Sequence, residues 1–146
     1  MKSDTFTLHT MEIEDYPQVF DLWKRCEGVG IREEVDSETG IQRYLTRNPG
    51  MSFIARTGDR IVGAVLAGHD GRRGYIHHLA VDPQWRKKGI GTRLVSAAIE
   101  TLRKEGIGKV HLFVFKENES AQKFWEKLGW EIREDILIMS RNFSAV

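Results

Sequence analysis

The sequence predicts an α/β (α+β) fold, with one mixed sheet of about seven strands and four helices packed on it. Three observations carry that prediction. Short apolar or alternating runs recur between amphipathic stretches, as at Phe6–Thr10 and Lys109–Phe115. Gly58-Asp59, a strong turn dipeptide, joins two such runs, Ser52–Arg56 and Ile61–Ala67, into a hairpin. Tyr75–Leu94 reads as strand, basic glycine loop and helix start in unbroken order. The 146 residues fit a single domain over 1–146 with one core.

Taken in order, Phe6–Thr10 alternates as FTLHT and forms a first strand. Asp15 caps a helix with Pro17 in its first turn, and Val19, Phe20 and Trp23 share one of its faces. The helix fades at Glu27-Gly28-Val29-Gly30, and an acid-rich polar stretch, Arg32–Asp36, follows. Ser37 caps a second helix with the stripe Ile41, Tyr44, Leu45, closed by the turn Asn48-Pro49-Gly50. After the hairpin, a polar glycine-rich loop from Gly68 leads to the strand Tyr75–Val81. Its helix carries Leu94, Val95, Ala98, Ile99 and Leu102 and ends near Glu105, with Gly106 as C-cap. Lys109–Phe115 is the next strand. Asn118 or Ser120 then opens a helix through Ala121, Phe124, Trp125 and Leu128 to Gly129, and Trp130–Arg133 and Asp135–Ser140 are expected as two last strands.

Composition narrows the function classes. Hydrophobic residues at 40% and charged residues at 29% are ordinary for a globular protein. A formal net charge of +1 gives no bulk argument for a nucleic-acid or membrane partner. The lone cysteine, Cys26, permits no internal disulfide, suits a reducing, cytoplasmic setting, and reads as a small buried apolar side chain rather than a nucleophile. No stretch is long enough to span a bilayer, and Met1-Lys2-Ser3-Asp4 does not open a signal peptide. No cluster has zinc spacing, so no metal is expected.

The stretch that carries chemistry is Tyr75–Leu94. Asp82 and Pro83 stop its strand, since proline cannot donate to a ladder. Arg86-Lys87-Lys88-Gly89-Ile90-Gly91 follows, directly before the helix. Glycines let backbone N–H groups turn inward, and the helix N-terminus adds positive potential. Three cations on the loop, Arg86, Lys87 and Lys88, raise that potential further and point to a ligand carrying phosphates. As a mere surface turn they would repel the helix dipole. A dinucleotide loop fits poorly, because Leu94 stands where the third glycine belongs, and no Gly-Lys-Ser/Thr is present.

Arg86-x-x-Gly89-x-Gly91 after LAV-x-P resembles the acetyl-CoA loop of the GCN5-related N-acetyltransferase (GNAT) superfamily. Asn118 to Trp130, with Ala121, Phe124, Trp125 and Gly129, is similar to that family's N-x-x-A-x-x-F-Y-E-K-x-G-F. The likeness covers nearly the whole chain in element order, and RNPG, GHDGRRGY and the LFV run resemble the bacterial YpeA-type branch. It implies a V-shaped splay between strands 4 and 5, Tyr75–Val81 and Lys109–Phe115, that holds acetyl-CoA as co-substrate. It assigns the pantetheine to the backbone of Leu79-Ala80-Val81. The pyrophosphate falls to N–H groups of Arg86, Lys87, Lys88, Gly89, Ile90, Gly91 and Thr92. Asn118 and Trp125 belong to the helix flanking the pantetheine or sulfur. A primary amine, on a small molecule or a peptide, then attacks the thioester, with an oxyanion held by a backbone N–H near Val81.

Two departures from the family stand out. Trp125 replaces the tyrosine that usually serves as acid, and an indole gives up no proton at working pH. Phe113 stands where some relatives carry a glutamate base. HHLAV is similar to the strand of arylalkylamine N-acetyltransferases, whose histidine two positions before the leucine acts as base. That implies His77 as base, with Tyr75 on the same face able to relay a proton. The plainer readings are a core histidine donating one hydrogen bond and a packing tyrosine. His77 and His78 are expected on opposite faces of the strand. Glu27, Glu33, Glu34 and Asp36 either favour a cationic acceptor or are simply solvated, and Arg72 and Arg73 either reach the 3′-phosphate of the cofactor or, the plainer reading, form a solvated hairpin tip. Beside the enzyme stands an alternative, a non-catalytic acyl-CoA-binding regulatory module. Monomer and homodimer both fit.

Overall fold

The computed structural model describes residues 5–143, and the chain divides into two compact units, Met1–Phe113 and Val114–Val146. Met1–Asp4, the residues read against a signal peptide, lie outside the described part.

The first unit is built on five strands in the order β1-β2-β3-β4-β5: Thr7–Thr10, Phe53–Thr57, Arg60–His69, Gly74–Val81 and Val110–Leu112. β1 to β4 are antiparallel neighbours, and β5 joins β4 in parallel. The expected hairpin across Gly58-Asp59 is the β2–β3 pair. Parallel pairing requires a crossover, and α4, Ile90–Lys104, supplies it between β4 and β5.

Helices cover both faces. On one lie α1 (Tyr16–Arg25), the short α2 (Glu33–Asp36) and α3 (Glu38–Arg47). Pro17 sits in the first turn of α1, where its missing N–H costs nothing. Ser37 caps α3 by accepting from the Gly40 N–H at 3.1 Å. Val19, Leu22, Trp23 and Ile41 pack there against Ile54, Ala64, Leu66 and Ala80 of the sheet. Burying each valine, leucine or isoleucine among them is worth roughly 1.5–3 kcal/mol. On the other face Ile90, Leu94, Ala98 and Leu102 of α4 are buried. Its close approach depends on Gly63 of β3, where a Cβ would meet Ile90 Cγ2 at 2.7 Å and Leu94 Cδ1 at 3.0 Å.

β4 is interrupted in a way that plain alternation does not foresee. Ala64 pairs with Ala80 but Leu66 with His77, so His78 and Leu79 together stand opposite Val65. This is a β-bulge, and His78 takes a left-handed φ of 50° to make it. The extra residue breaks the two-residue period, so the expectation that His77 and His78 face opposite sides fails. The His77 ring meets Tyr44 of α3, and the His78 ring meets Trp23 of α1, both on the same helical layer.

The second unit holds α5, Glu119–Lys127, capped by Asn118, whose side chain accepts from the Ala121 N–H at 3.1 Å. The expected strands Trp130–Arg133 and Asp135–Ser140 are absent from the described residues, so the sheet has five strands rather than seven. A strand exists only where a ladder partner meets it, and these residues pair with none; Leu137 and Met139 are 91% and 93% exposed. Five α-helices replace the expected four because α2 forms in the polar stretch after α1.

Candidate active site

The site is organised along β4. Its parallel pairing to β5 ends at Ile76 opposite Leu112, while β4 runs on to Val81. From there its edge is no longer covered by β5, which is the V-shaped splay between strands 4 and 5. The Asp82 N–H donates to Val62 O across the β3 ladder at 2.8 Å. Alternation therefore turns the main-chain groups of Val81 to the opposite, open edge. The Val81 carbonyl there accepts weakly from Cys26 Sγ and from Arg86 Nε, each at 3.4 Å. Burial pushes the Cys26 thiol up, more than the Arg86 guanidinium draws it down, so the thiol is a packing group rather than a nucleophile.

At the end of that edge, Asp82 anchors the turn. It is 2% exposed; one carboxylate oxygen accepts from Arg25 at 3.1 Å and Arg60 at 2.9 Å, the other from the Gln84 N–H at 2.9 Å. Burial alone would raise its carboxyl, but these donors hold it below the ordinary carboxylate range. Pro83–Trp85 then forms a single 3-10 turn.

Lys87 and Gly89 both take left-handed backbone, with φ 64° and 83°. That is nearly cost-free for glycine and costs a lysine about 1 kcal/mol. The Lys88 ammonium lies 5.8 Å from the centre of the Trp85 ring. The first intrahelical bond of α4 is Arg93 N–H to Gly89 O, so the N–H groups of Ile90, Gly91 and Thr92 precede the hydrogen-bonded ladder. The Ile90 side chain is core, so only its backbone serves this end. Loop cations, left-handed residues and a helix N-terminus thus lie together, a combination suited to phosphate oxygens.

Before the bulge, one face of β4 and β5 is aromatic. The Tyr75 and His77 rings are parallel within 3°, their centres 6.2 Å apart, and Phe113 lies 6.3 and 6.2 Å from the two. Tyr44 meets His77 edge-on at 6.0 Å. Burial lowers the His77 pKa first of all, and nearby His78 lowers it further against a smaller opposing pull from Asp36, so His77 is neutral at pH 7. Phe113 is 59% exposed and supplies no carboxylate. The Tyr44 hydroxyl is buried with no hydrogen-bond partner among the described residues, and burial raises its pKa.

Beside His77 is a pair the sequence did not reveal. His78 Nε2 lies 2.9 Å from Asp36 Oδ2, and the same oxygen accepts from the Arg32 N–H at 2.8 Å. Asp36 is 4% exposed, so it is not one of the solvated acids of its stretch. Burial pushes its carboxyl up, but the bonds from His78 and Arg32 outweigh that and leave it below the ordinary range. The Tyr16 hydroxyl donates to the Asp36 carbonyl at 2.7 Å and ties α2 to α1. The hints in the sequence were a pair of adjacent histidines and an acid in a polar stretch; their meeting across 42 residues was not readable.

Of the expected site residues, Tyr75, His77, Leu79, Ala80, Val81 and Arg86 through Thr92 lie in the first unit, along β4 and its continuation. Asn118 and Trp125 belong to the second. There Trp125 is buried against Phe124 and Trp130, with ring centres 5.2 and 5.1 Å away, and Asn118 is the α5 cap. Arg72 and Arg73 sit on a turn whose N–H groups both donate to Asp70 Oδ1 at 2.8 Å, as the hairpin-tip reading expects.

A sequence profile described as the acetyltransferase (GNAT) family matches residues 16–130. The chain belongs to that family. It is thereby an N-acetyltransferase by class, and no group of histidine, cysteine and acidic side chains suited to a metal occurs among the described residues. An acetyltransferase of Pectobacterium atrosepticum is 34% identical over 128 residues, covering 88% of this chain and 89% of the relative. One of Sodalis glossinidius is 31% identical over the same shares. Among solved structures, the PaiA N-acetyltransferase of Thermoplasma acidophilum in complex with coenzyme A aligns with a TM-score of 0.78 at 17% identity, over 90% of this chain and 93% of that one. At that identity the likeness speaks for the fold. No helix of the described residues is long and apolar enough to cross a membrane.

Proposed function

We propose that the chain transfers an acetyl group from acetyl-CoA to a primary amine by direct attack, as one acetyltransferase domain over 1–146. The observation that carries this is the uncovered edge of β4, which begins where β5 stops and runs straight into the left-handed basic loop and the start of α4. An extended pantetheine arm suits such an edge as an added strand, and its phosphates suit the loop. Leu79 and Val81 hold the arm through main-chain groups while those of Ala80 face β3, and Arg86 to Thr92 hold the pyrophosphate. Asn118 and Trp125 are assigned to the pantetheine and sulfur side from the family resemblance alone.

In the transfer, the neutral amine nitrogen forms a bond to the thioester carbon, the carbon–sulfur bond breaks as the thiolate leaves, and the remaining surplus proton of the nitrogen passes through water to the sulfur. The Val81 N–H is suited to the oxygen on which charge develops. The ammonium proton goes to His77, whose burial keeps it neutral and therefore able to accept; Tyr75 passes it outward through water. The acceptor class is a small-molecule or peptide amine. The single buried thiol supports a reducing, cytoplasmic setting.

Calorimetry with acetyl-CoA and CoA, followed by thiol release over an amine panel, tests the reading. Binding should raise the melting temperature by mass action. No response to millimolar acetyl-CoA would remove it. A second reading, a non-catalytic acyl-CoA-binding module, is favoured by Trp125 at the position of the usual acid. Binding without turnover on any amine would select it.

A further inference from the structure

We propose that Asp36 and His78 form a positioning pair behind His77, one that fixes the bulge of β4 and sets the pH range over which His77 takes up a proton. The inference rests on the reading of His77 as the proton acceptor.

Three observations converge on it. Asp36 is buried with its carboxyl held below the ordinary range, so it is ionised at neutral pH and can only accept hydrogen bonds. The 2.9 Å contact therefore requires a hydrogen on His78 Nε2, in the neutral and the protonated ring alike. His78 is also a non-glycine residue at φ 50°, a conformation that persists where surroundings hold it. The holders are visible: Asp36 of α2 on the ring nitrogen, Trp23 of α1 edge-on at 4.9 Å, and the Tyr16 hydroxyl on the Asp36 carbonyl. Finally, the bulge places His78 on the same helical layer as its neighbour, where its charge is felt by His77.

The groups around His77 are few. Tyr44 faces it from α3, Tyr75 from its own strand and Phe113 from the end of β5. His111 of β5 lies beyond, against Tyr75. The charges that act on His77 are His78, which opposes proton uptake, and Asp36, which favours it. An imidazole bound to a buried carboxylate beside the acceptor is thus a built-in adjuster of its basicity, and the bulge fixes the spacing.

The test uses His78→Asn and His78→Gly in the full chain. Both residues tolerate left-handed backbone, so the bulge survives while the imidazole is lost. NMR titration of the histidine rings should show His77 taking up its proton at higher pH in both variants, because the opposing charge of His78 is gone. The acid limb of kcat/KM for the acetylated amine should move in the same direction. A merely structural His78 would lower the melting temperature and leave the His77 titration where it was; that result in folded variants overturns the proposal. A titration that moves while the acid limb stays would overturn the proton-acceptor reading of His77 instead. A further measurement needs no variant: nitrogen shifts of wild-type His78 should report hydrogen on Nε2 across neutral pH, and an Nδ1–H tautomer would overturn the pair.

Discussion

The two ends of β4 do different work with different materials. From Val81 onward the chain offers main-chain groups: an open strand edge, two left-handed residues and the first N–H groups of α4. At the bulge it offers side chains: His77 and His78, held by Trp23, Asp36 and Tyr44 from three helices. The first end is local in sequence and tolerant of side-chain identity. The second is assembled from residues far apart and depends on each one. Substitutions at the first end should therefore appear in cofactor binding, and at the second in rate and pH dependence.

The most severe break of that division is Gly91→Asp. Gly91 is the second residue of α4, where an acid favours the helix dipole, so the free protein should fold as well as before or slightly better. The same charge a few ångströms from a pyrophosphate costs about 4 kcal/mol at an effective dielectric near 20, or roughly a thousandfold in CoA affinity. Isothermal calorimetry beside a melting curve reads both signs. Equal affinity in the variant would move the phosphate site away from the loop.

His77→Gln should lower kcat/KM at neutral pH by about a hundredfold, the scale of a lost general base, with CoA affinity little changed. Most amines are protonated at pH 7, so the defect should shrink as pH rises and the amine deprotonates unaided. Full activity of the variant at pH 7 with a good acceptor would make His77 a core residue.

How much was readable in advance follows the same division. The glycine loop, its cations and the helix behind it lie within one short stretch, so spacing alone exposed them. Asp82 read only as a strand stop, because Arg25 and Arg60 reach it from other elements. The pairing of Asp36 with His78 was hidden twice: by distance along the chain, and by a bulge that reverses the expected direction of a side chain. The two C-terminal strands failed for the converse reason. Their residues suit strands, but strand-forming residues do not supply a partner.

Asp82→Asn joins the two regions, since Asp82 ends the strand and begins the loop. An amide keeps the shape and the Gln84 contact but removes the charge that Arg25 and Arg60 meet. Stability at neutral pH should fall by about 1–2 kcal/mol, and CoA affinity by less than tenfold as the loop loosens. The sign with pH is fixed by the lowered pKa. The carboxylate of Asp82, like that of Asp36, stabilises the fold fully above its unfolded value of about 3.9, and that contribution is lost as pH falls through the lower folded value. Melting curves of wild type and variant should therefore converge in acid. A constant gap down to pH 2 would mean that the charge is not what Asp82 contributes.

The smallest effect is expected at Trp125, which belongs to neither region. In the family's pattern this position carries a tyrosine that protonates the leaving thiolate, and the indole of Trp125 has no such proton to give. A thiol has an ordinary pKa near 8.5, so its thiolate leaves tolerably at pH 7 to 8 and takes a proton from water afterwards. Trp125→Phe should then stay within about threefold of wild type in kcat, and Trp125→Tyr should gain no more than that, in line with a proton transfer that does not limit the rate. Because Trp125 is buried against Phe124 and Trp130, both variants should first be checked for melting temperature. A solvent isotope effect on kcat that appears only in the tyrosine variant would show that the introduced phenol has become the acid. A loss of tenfold or more in the phenylalanine variant, with CoA affinity and melting temperature retained, would show that the indole itself acts in the transfer.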